Sequence, residues 1–208
     1  MRLPPRLLAL TPGALRGSEP HGALLQAVAD ALTSGLRGVL LREPGLDERA
    51  FLALARELRR LLDGVEGGWL GVHDRGHLAL LAGADGLHLG FRSLAPERLP
   101  SAYRALAVGL SAHAADATAR WSGADYLFFG PVRATPSKEG RLAPTGFDGL
   151  AAAVERSASP VWALGGLAPE DAAAARAAGA SGIATLSGIL GARDPGAAAR
   201  LYAEAAAA

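Results

Sequence analysis

The side chains that could perform chemistry in this chain stand at or just after the ends of short runs of hydrophobic residues. Three of its five histidines occupy such positions, namely His73, His88 and His113. Histidine takes up and releases a proton near neutral pH, and as a general acid or base it accelerates a reaction by roughly 10²- to 10⁴-fold. The other polar or glycine residues at the ends of such runs are Arg42-Glu43, Asp74, Ser111, Gly130, Gly165-Gly166 and Ser187-Gly188. Contact with solvent explains a polar residue at one such end, but it explains the whole set poorly.

The three histidines have different surroundings. His113 lies two residues past its hydrophobic run and is the candidate for proton transfer, with a hydrogen-bonded structural histidine as the alternative. His88 alternates with leucines in the segment 86–90, which predicts an inward-facing side chain with a structural role. His73 is followed by Asp74, whose carboxylate could cap a helix, bind a cation or polarise a histidine. The sequence does not rank these three roles.

Two glycine-containing pairs are candidates for phosphate binding. Gly165-Gly166 precedes a predicted helix that starts near Pro169, and Ser187-Gly188 is followed by Ile189. Backbone N–H groups at a helix N-terminus bind anions, and glycine lets the anion approach closely. The alternative is a tight turn that needs a positive φ.

A long polar loop, 131–140, follows the sixth hydrophobic run and contains Thr135 and Lys138. Loops of this length in compact domains tend to be functional. Lys138 is the single lysine in a chain with 20 arginines, and its ammonium group could reach an anionic ligand. A solvated surface lysine is the alternative.

The elements that must position these residues alternate between short strands and helices. Residues 47–62 carry leucine and phenylalanine at three- and four-residue steps, which predicts a helix. The segments Gly83-Ala84-Asp85, Gly123-Ala124-Asp125 and Gly179-Ala180-Ser181 repeat one joint between a helix and the next strand. Strands are predicted at 7–11, 38–42, 69–72, 86–89, 107–111, 126–130, 161–164 and 182–186.

The count of eight strand–helix pairs predicts an α/β fold, a single (β/α)₈ TIM barrel spanning residues 1–208 as one domain. An open, doubly wound sheet is the alternative. In a barrel the catalytic groups lie at the carboxyl ends of the strands, which is where the polar residues above are found.

Composition narrows the classes of partner. A net charge of +1 without a basic run argues against nucleic acid and anionic membranes, and favours a small molecule. The chain has no cysteine, which excludes disulfides and thiolate chemistry. No apolar stretch reaches the roughly 18 residues of a membrane span, and the first residues do not resemble a signal peptide. We therefore expect a cytoplasmic protein.

Taken in order, these segments resemble the thiamine phosphate synthase superfamily over nearly the whole chain. The matching segments are 39–44, His73-Asp74-Arg75, 85–93, 109–113, Ala124-Asp125-Tyr126, Gly130-Pro131, 135–138, Leu164-Gly165-Gly166 and Ser187-Gly188-Ile189.

The departures from the family pattern fall on one side of the implied site. In the synthase, Gln and Lys on strand two, Asn after strand three, and Gln and Asp after strand four handle a pyrimidine diphosphate and its Mg²⁺. This chain has Leu40, Pro44, His73, Phe91 and Ser93 at those positions. A diphosphate leaving group needs a metal or cations to neutralise its charge, so this loss predicts that pyrophosphate chemistry is disabled.

The residues for a thiazole phosphate are retained, namely Lys138, Gly165, Gly166, Ser187 and Gly188. This combination is similar to the TenI-like branch of thiazole tautomerases, which implies a metal-free isomerase without a cofactor that aromatises a carboxythiazole phosphate. The expected catalytic residue is His113, which takes the proton from ring carbon C2 and returns one at the exocyclic carbon. Substrate contacts are expected from Arg42, His73, Ser111, Gly130, Thr135 and Lys138.

Three alternatives remain open. One is a thiamine phosphate synthase with a rearranged Mg²⁺ site. Another is a catalytically silent barrel that binds thiazole or thiamine phosphate as a regulator, and the last is an unrelated phosphate-binding isomerase. The resemblance also implies a homodimer or a larger homo-oligomer.

Overall fold

Eight parallel strands form a closed barrel in which each strand pairs with the next and the last pairs with the first. The computed structural model describes residues 1–135 and 142–207. The strands are β1 (Leu7–Leu10), β2 (Gly38–Leu41), β3 (Trp69–His73), β4 (Gly86–Leu89), β5 (Ala107–Ala112), β6 (Tyr126–Phe129), β7 (Val161–Leu164) and β8 (Gly182–Thr185). The predicted (β/α)₈ barrel is confirmed. Because the strands are parallel, all eight carboxyl ends lie at the same end of the barrel.

Helices surround the barrel, and among the described residues they are α1 (Gly22–Thr33), α2 (Glu48–Asp63), α3 (Gly76–Leu81), α4 (Gly146–Arg156), α5 (Ala172–Ala177) and α6 (Pro195–Ala207). The predicted helix 47–62 corresponds to α2, and Asp47 caps it by accepting a hydrogen bond of 2.8 Å from the N–H of Ala50. None of the helices in the described residues is long and apolar enough to cross a membrane.

The expectation of a helix after every strand was wrong for β4 and β5. The described chain there forms only short 3₁₀ turns, at Pro96–Arg98, Ser101–Ala105 and Thr118–Trp121. Pro96 and Pro100 explain the first gap, because proline has no N–H and its ring clashes with the preceding helical turn. The barrel therefore has a thinner outer layer on this side.

The barrel interior is filled with side chains at its amino end. Trp69 and Trp162 both meet Tyr126 edge to face, with ring centroids 6.1 and 5.8 Å apart. The indole N–H groups donate to the carbonyls of Arg2 and Pro5 at 2.9 and 2.8 Å, so the N-terminal segment closes this end. Space for a ligand is thus restricted to the carboxyl end, as is general for these barrels.

The repeated helix-to-strand joint has the predicted conformation. Gly83, Gly123 and Gly179 all have positive φ, at 65°, 75° and 86°. In the first two copies the aspartate that follows, Asp85 or Asp125, accepts a backbone hydrogen bond of 2.8 Å from the preceding strand. A glycine is needed at this turn because other residues adopt positive φ only with strain.

Candidate active site

The ends of β3 and β4 carry a hydrogen-bonded cluster of His73, Asp74 and Ser93. His73 Nδ1 lies 3.1 Å from Asp74 Oδ2, while Asp74 Oδ1 accepts from the Ser93 hydroxyl and, at 3.3 Å, from the N–H of Gly90. Partial burial opposes ionisation of Asp74, but the hydrogen bond and charge of His73 and the bonds from Ser93 and Gly90 lower its pKa to about 2. Asp74 is therefore a carboxylate with both oxygens engaged.

This cluster bears on the three roles considered for Asp74. The structure shows no capping hydrogen bond from a side chain at the start of α3, so helix capping was not its role. The carboxylate contacts the His73 imidazole, which is the third possibility considered.

The residues present do not fit the Mg²⁺ that the synthase family implies. Magnesium prefers near-octahedral oxygen ligation with one or more carboxylates. Asp74 already accepts from three donors, Ser93 supplies a hydroxyl in place of a second carboxylate, and Phe91 is apolar. No group of three or more metal-ligating side chains occurs in the described parts of the chain.

His88 is buried inside the barrel and contacts Ser111 on the next strand. Its side chain is 1% exposed, its ring stacks on Phe128 with centroids 4.2 Å apart, and Nε2 lies 3.0 Å from Ser111 Oγ. Burial, together with the charge on His73, lowers the pKa of His88 well below its usual value, and the opposing effect of Asp74 is smaller. The prediction that His88 faces inward is confirmed.

His113 lies directly beyond β5 and pairs with Asp116. The N–H of His113 donates to Asp116 Oδ2 at 2.8 Å, and the same oxygen lies 3.5 Å from the His113 Nδ1. The side chains are 14% and 18% exposed, so the pair is half-buried at the mouth. A carboxylate beside Nδ1 orients the ring of a histidine that takes part in proton transfer.

Arg42 has no ion-pair partner among the described residues. Its neighbour Glu43 is 1% exposed, and the carboxylate instead accepts from the N–H groups of Gly13 and Leu15 at 2.9 Å each. Glu43 thus holds the loop after β1, and the half-buried Arg42 guanidinium remains available to an anion.

The loop after β7 contains Gly165 and Gly166 and lies against the loop after β6. Both glycines have positive φ, at 98° and 68°. A Cβ on Gly166 would lie 2.3 Å from the Ala134 oxygen, so no larger residue fits. The turn therefore requires glycine, as the alternative interpretation proposed. The Gly166 N–H has no hydrogen-bond partner within 1–135 and 142–207, so it is also available to an anion.

Arg133 stands beside this loop but is already paired. Its guanidinium donates to Asp171 Oδ1 at 2.8 and 3.2 Å and lies 4.9 Å from the centre of the Phe147 ring. Burial alone would raise the pKa of Asp171, but hydrogen bonds from Ala168 and Arg133 and the Arg133 charge lower it. Arg133 therefore fastens the β6 and β7 loops together.

The expectation that Ser187-Gly188 opens a helix was wrong. Helix α6 begins only at Pro195, because the Asp194 side chain caps it by accepting 2.9 Å from the Ala197 N–H. The Gly188 N–H donates to Thr185 Oγ1 at 3.0 Å, so this donor is occupied. The exposed Ser187 N–H has no partner among the described residues and remains a candidate anion donor.

The remaining candidates lie in the loop after β6. Gly130 is buried, and a Cβ there would lie 2.0 Å from the Leu164 oxygen, so its glycine serves close packing. Thr135 is half-buried at the mouth. Lys138 lies outside the described residues, so its predicted role stays a prediction.

Two residues of the site were missed by sequence reasoning. Asp116 follows His113 by three residues, a spacing that could have suggested the pair. Tyr202 on α6 donates to the Leu167 carbonyl at 2.7 Å, and a Cβ on Gly188 would lie 2.3 Å from its hydroxyl. Tyr202 thus braces the β7 and β8 loops, and nothing near it in the sequence indicates this.

The fold and the site define a (β/α)₈-barrel protein whose polar groups gather at the carboxyl ends of its strands. Barrels of other functions share the architecture, for example a 3-hexulose-6-phosphate synthase structure with a TM-score of 0.67 at 19% identity, covering 96% of this chain and 99% of that one. Residues 9–189 match the family model described as thiamine monophosphate synthase, so the chain belongs to that family.

Individual relatives agree with this assignment. A provisionally named thiamine-phosphate synthase of Geobacter sulfurreducens is 44% identical over 176 residues, which are 83% of this chain and 82% of the relative. The thiamine-phosphate synthase of Moorella thermoacetica is 38% identical, covering 86% and 87%. The solved thiamine phosphate pyrophosphorylase from Pyrococcus furiosus superposes with a TM-score of 0.82 at 28% identity, covering 97% and 95%. These names support the synthase alternative better than the tautomerase.

Proposed function

We propose that this protein is a thiazole tautomerase, which binds a carboxythiazole phosphate and aromatises it by moving a proton. The observation that carries the proposal is the set of side chains at the carboxyl ends of β3 and β4. Asp74 is the one carboxylate there among the described residues, and it is engaged by His73, Ser93 and Gly90, so these strand ends offer little to neutralise a departing diphosphate. An isomerisation has no such leaving group and needs no metal.

The substrate would lie across the mouth, held at its two anionic ends. The N–H groups of Gly166 and Ser187 would donate to the phosphate. Lys138 lies outside the described residues and is predicted from the sequence to be a further cation for it. The Arg42 guanidinium would bind the carboxylate by paired hydrogen bonds. Such a two-point grip holds the ring in one orientation.

His113 would then move the proton. Its imidazole removes the hydrogen from ring carbon C2 as a general base and, once protonated, returns a proton to the exocyclic carbon, so the reaction has no net proton change. Asp116, 3.5 Å from Nδ1, would stabilise the transient imidazolium. This supports Asp116 as a positioning residue for His113.

A second candidate, thiamine phosphate synthase, is favoured by the names of the relatives. It joins a pyrimidine diphosphate to thiazole phosphate, with Mg²⁺ neutralising the diphosphate. The cluster of His73, Asp74 and Ser93 argues against it, because a new carboxylate or cation would have to replace the missing ligands.

The test assays the same purified protein for both reactions, the aromatisation of the carboxythiazole phosphate and the synthesis of thiamine phosphate. We expect aromatisation of the carboxythiazole phosphate without added metal, and a fall in rate of about 10²-fold or more for His113→Ala. The matched control is His77→Ala, at an exposed histidine on α3 that pairs with Glu48. Production of thiamine phosphate from pyrimidine diphosphate and thiazole phosphate with Mg²⁺ would establish the synthase instead. Tight binding without either reaction would leave the silent regulator.

A further inference from the structure

His88 and Ser111 form a hydrogen bond whose direction is not yet assigned. Nε2 lies 3.0 Å from Oγ, and either group can be the donor, depending on which ring nitrogen carries the proton. Ser111 is half-buried at the mouth, whereas His88 is enclosed behind it. The direction of this bond therefore decides what the serine hydroxyl offers to a ligand.

The other nitrogen of His88 constrains the answer. Nδ1 is shielded from solvent and has no hydrogen-bond partner within the described residues. A proton on Nδ1 would create an unpaired N–H donor in an apolar setting, and such buried donors are rare in native proteins. A proton on Nε2 leaves Nδ1 with only an unpaired lone pair, and it allows the Nε2–H group to donate to Ser111 Oγ.

The groups that face His88 come from three neighbouring strands. His73 ends β3, with its ring centroid 5.9 Å away, and Asp74 follows it; Ser111 lies on β5, and Tyr126 and Phe128 lie on β6. The burial that lowers the pKa of His88 keeps its ring neutral near pH 7, so one nitrogen carries a hydrogen and the other does not.

We infer that His88 carries its proton on Nε2 and is a positioning residue that makes the Ser111 hydroxyl a hydrogen-bond donor to the ligand. With its oxygen accepting from His88, Ser111 has its own hydrogen free to point toward the mouth. The ligand atom it meets must then be an acceptor, such as a ring nitrogen or a carboxylate oxygen. Only the identity of this ligand rests on the proposed function.

The tautomer is measured directly in the wild-type protein. In ¹⁵N-labelled protein at pH 7, two-bond correlations from the ring protons of His88 should show Nε2 protonated and Nδ1 bare. A ring protonated on Nδ1, or on both nitrogens, would overturn the inference. This experiment needs no variant and no substrate turnover.

The effect on the ligand is tested with thiazole phosphate in a binding titration. Ser111→Ala and His88→Leu should each weaken binding by about three- to tenfold, the value of one neutral hydrogen bond. The double variant should bind no more weakly than Ser111→Ala alone, because both changes remove the same interaction. His88→Gln, whose amide N–H can replace the Nε2 donor, should restore most of the affinity.

The outcomes separate this inference from the proposed function. Equal binding by the wild type and Ser111→Ala contradicts the donor role, even if the carboxythiazole phosphate is aromatised. Serine-dependent binding without aromatisation contradicts the tautomerase but leaves the assignment of His88 and Ser111 standing.

Discussion

The hydroxyl of Tyr202 donates a hydrogen bond of 2.7 Å to the carbonyl of Leu167, which joins the C-terminal helix to the loop after β7. The same hydroxyl abuts Gly188 in the loop after β8, where a Cβ would approach it to 2.3 Å. Burial raises the pKa of Tyr202, so the hydroxyl keeps its proton and remains a donor. One side chain from α6 therefore holds both loops that would bind a phosphate.

Tyr202→Phe should loosen these loops without emptying the core. The ring is kept, but the Leu167 carbonyl loses its buried donor, which should lower the free energy of unfolding by about 1–3 kcal/mol. Affinity for thiazole phosphate should fall several-fold. Chemical denaturation and a binding titration measure the two effects. Tyr103→Phe is the control and should leave binding unchanged, because Tyr103 lies in the 3₁₀ turn Ser101–Ala105 and its ring packs against Gly76.

Gly166→Ala should weaken phosphate binding in addition to straining the backbone. Its φ is 68°, and the new methyl group would lie 2.3 Å from the Ala134 oxygen. Gly67 is a matched control, because its φ is 72° but no atom lies within 4 Å of an added Cβ. Both alanine variants bear the backbone strain of roughly 1 kcal/mol, and only Gly166→Ala should also lose phosphate binding. Equal affinity in the two variants would argue against phosphate binding by this loop.

Asp116→Asn should separate orientation from charge at His113. The amide oxygen can still accept from the His113 N–H, which the carboxylate does at 2.8 Å, so the protein should fold normally. The loss of charge beside Nδ1 should lower kcat for aromatisation about tenfold or more, with a small effect on KM. Steady-state kinetics measures both constants. A rise in KM with unchanged kcat would instead assign Asp116 to substrate binding.

The buried His88 predicts a dependence of stability on pH. The unfolded chain binds a proton at His88 near pH 6.5, whereas the folded chain does so only at much lower pH. The contribution of His88 to the free energy of unfolding should therefore be complete above about pH 6.5. Below that pH the free energy of unfolding should fall by about 1.4 kcal/mol per pH unit, until the pKa of His88 in the folded protein is reached. His88→Leu should remove this slope between pH 6.5 and the folded pKa, and His77→Gln should not. Urea unfolding at several pH values provides the measurement.

Magnesium should not stabilise the wild-type protein. Among the described residues, Asp74 is the one carboxylate at the ends of β3 and β4, and it is already hydrogen-bonded to neighbouring groups. Ser93→Asp would place a second carboxylate beside Asp74 and should lower the melting temperature without metal through like-charge repulsion. Added Mg²⁺ should then raise the melting temperature of this variant alone, by about 2–4 °C for each kcal/mol of binding energy. Stabilisation of the wild type by Mg²⁺ would support the synthase.

Sequence alone predicted the strands of the barrel and placed the candidate site at their carboxyl ends. Period and composition are local signals, so β4 and β7 have the predicted bounds and the other strands differ by one residue at an end. The inward direction of His88 followed equally from its alternation with leucines. The count of eight strand–helix pairs predicted a helix after β4, but Pro96 and Pro100 lie in that segment, and two prolines close together break a helix.

Only the tertiary structure decided which partner each polar group has. Asp74 lies 19 residues from Ser93, and Tyr202 lies 35 from Leu167, so neither contact can be inferred from local spacing. The same is true of Gly166, whose lack of room comes from the Ala134 carbonyl on another loop. Residue types and periodicity are properties of the chain, but hydrogen-bond partners depend on the closure of the barrel, which brings distant strand ends together.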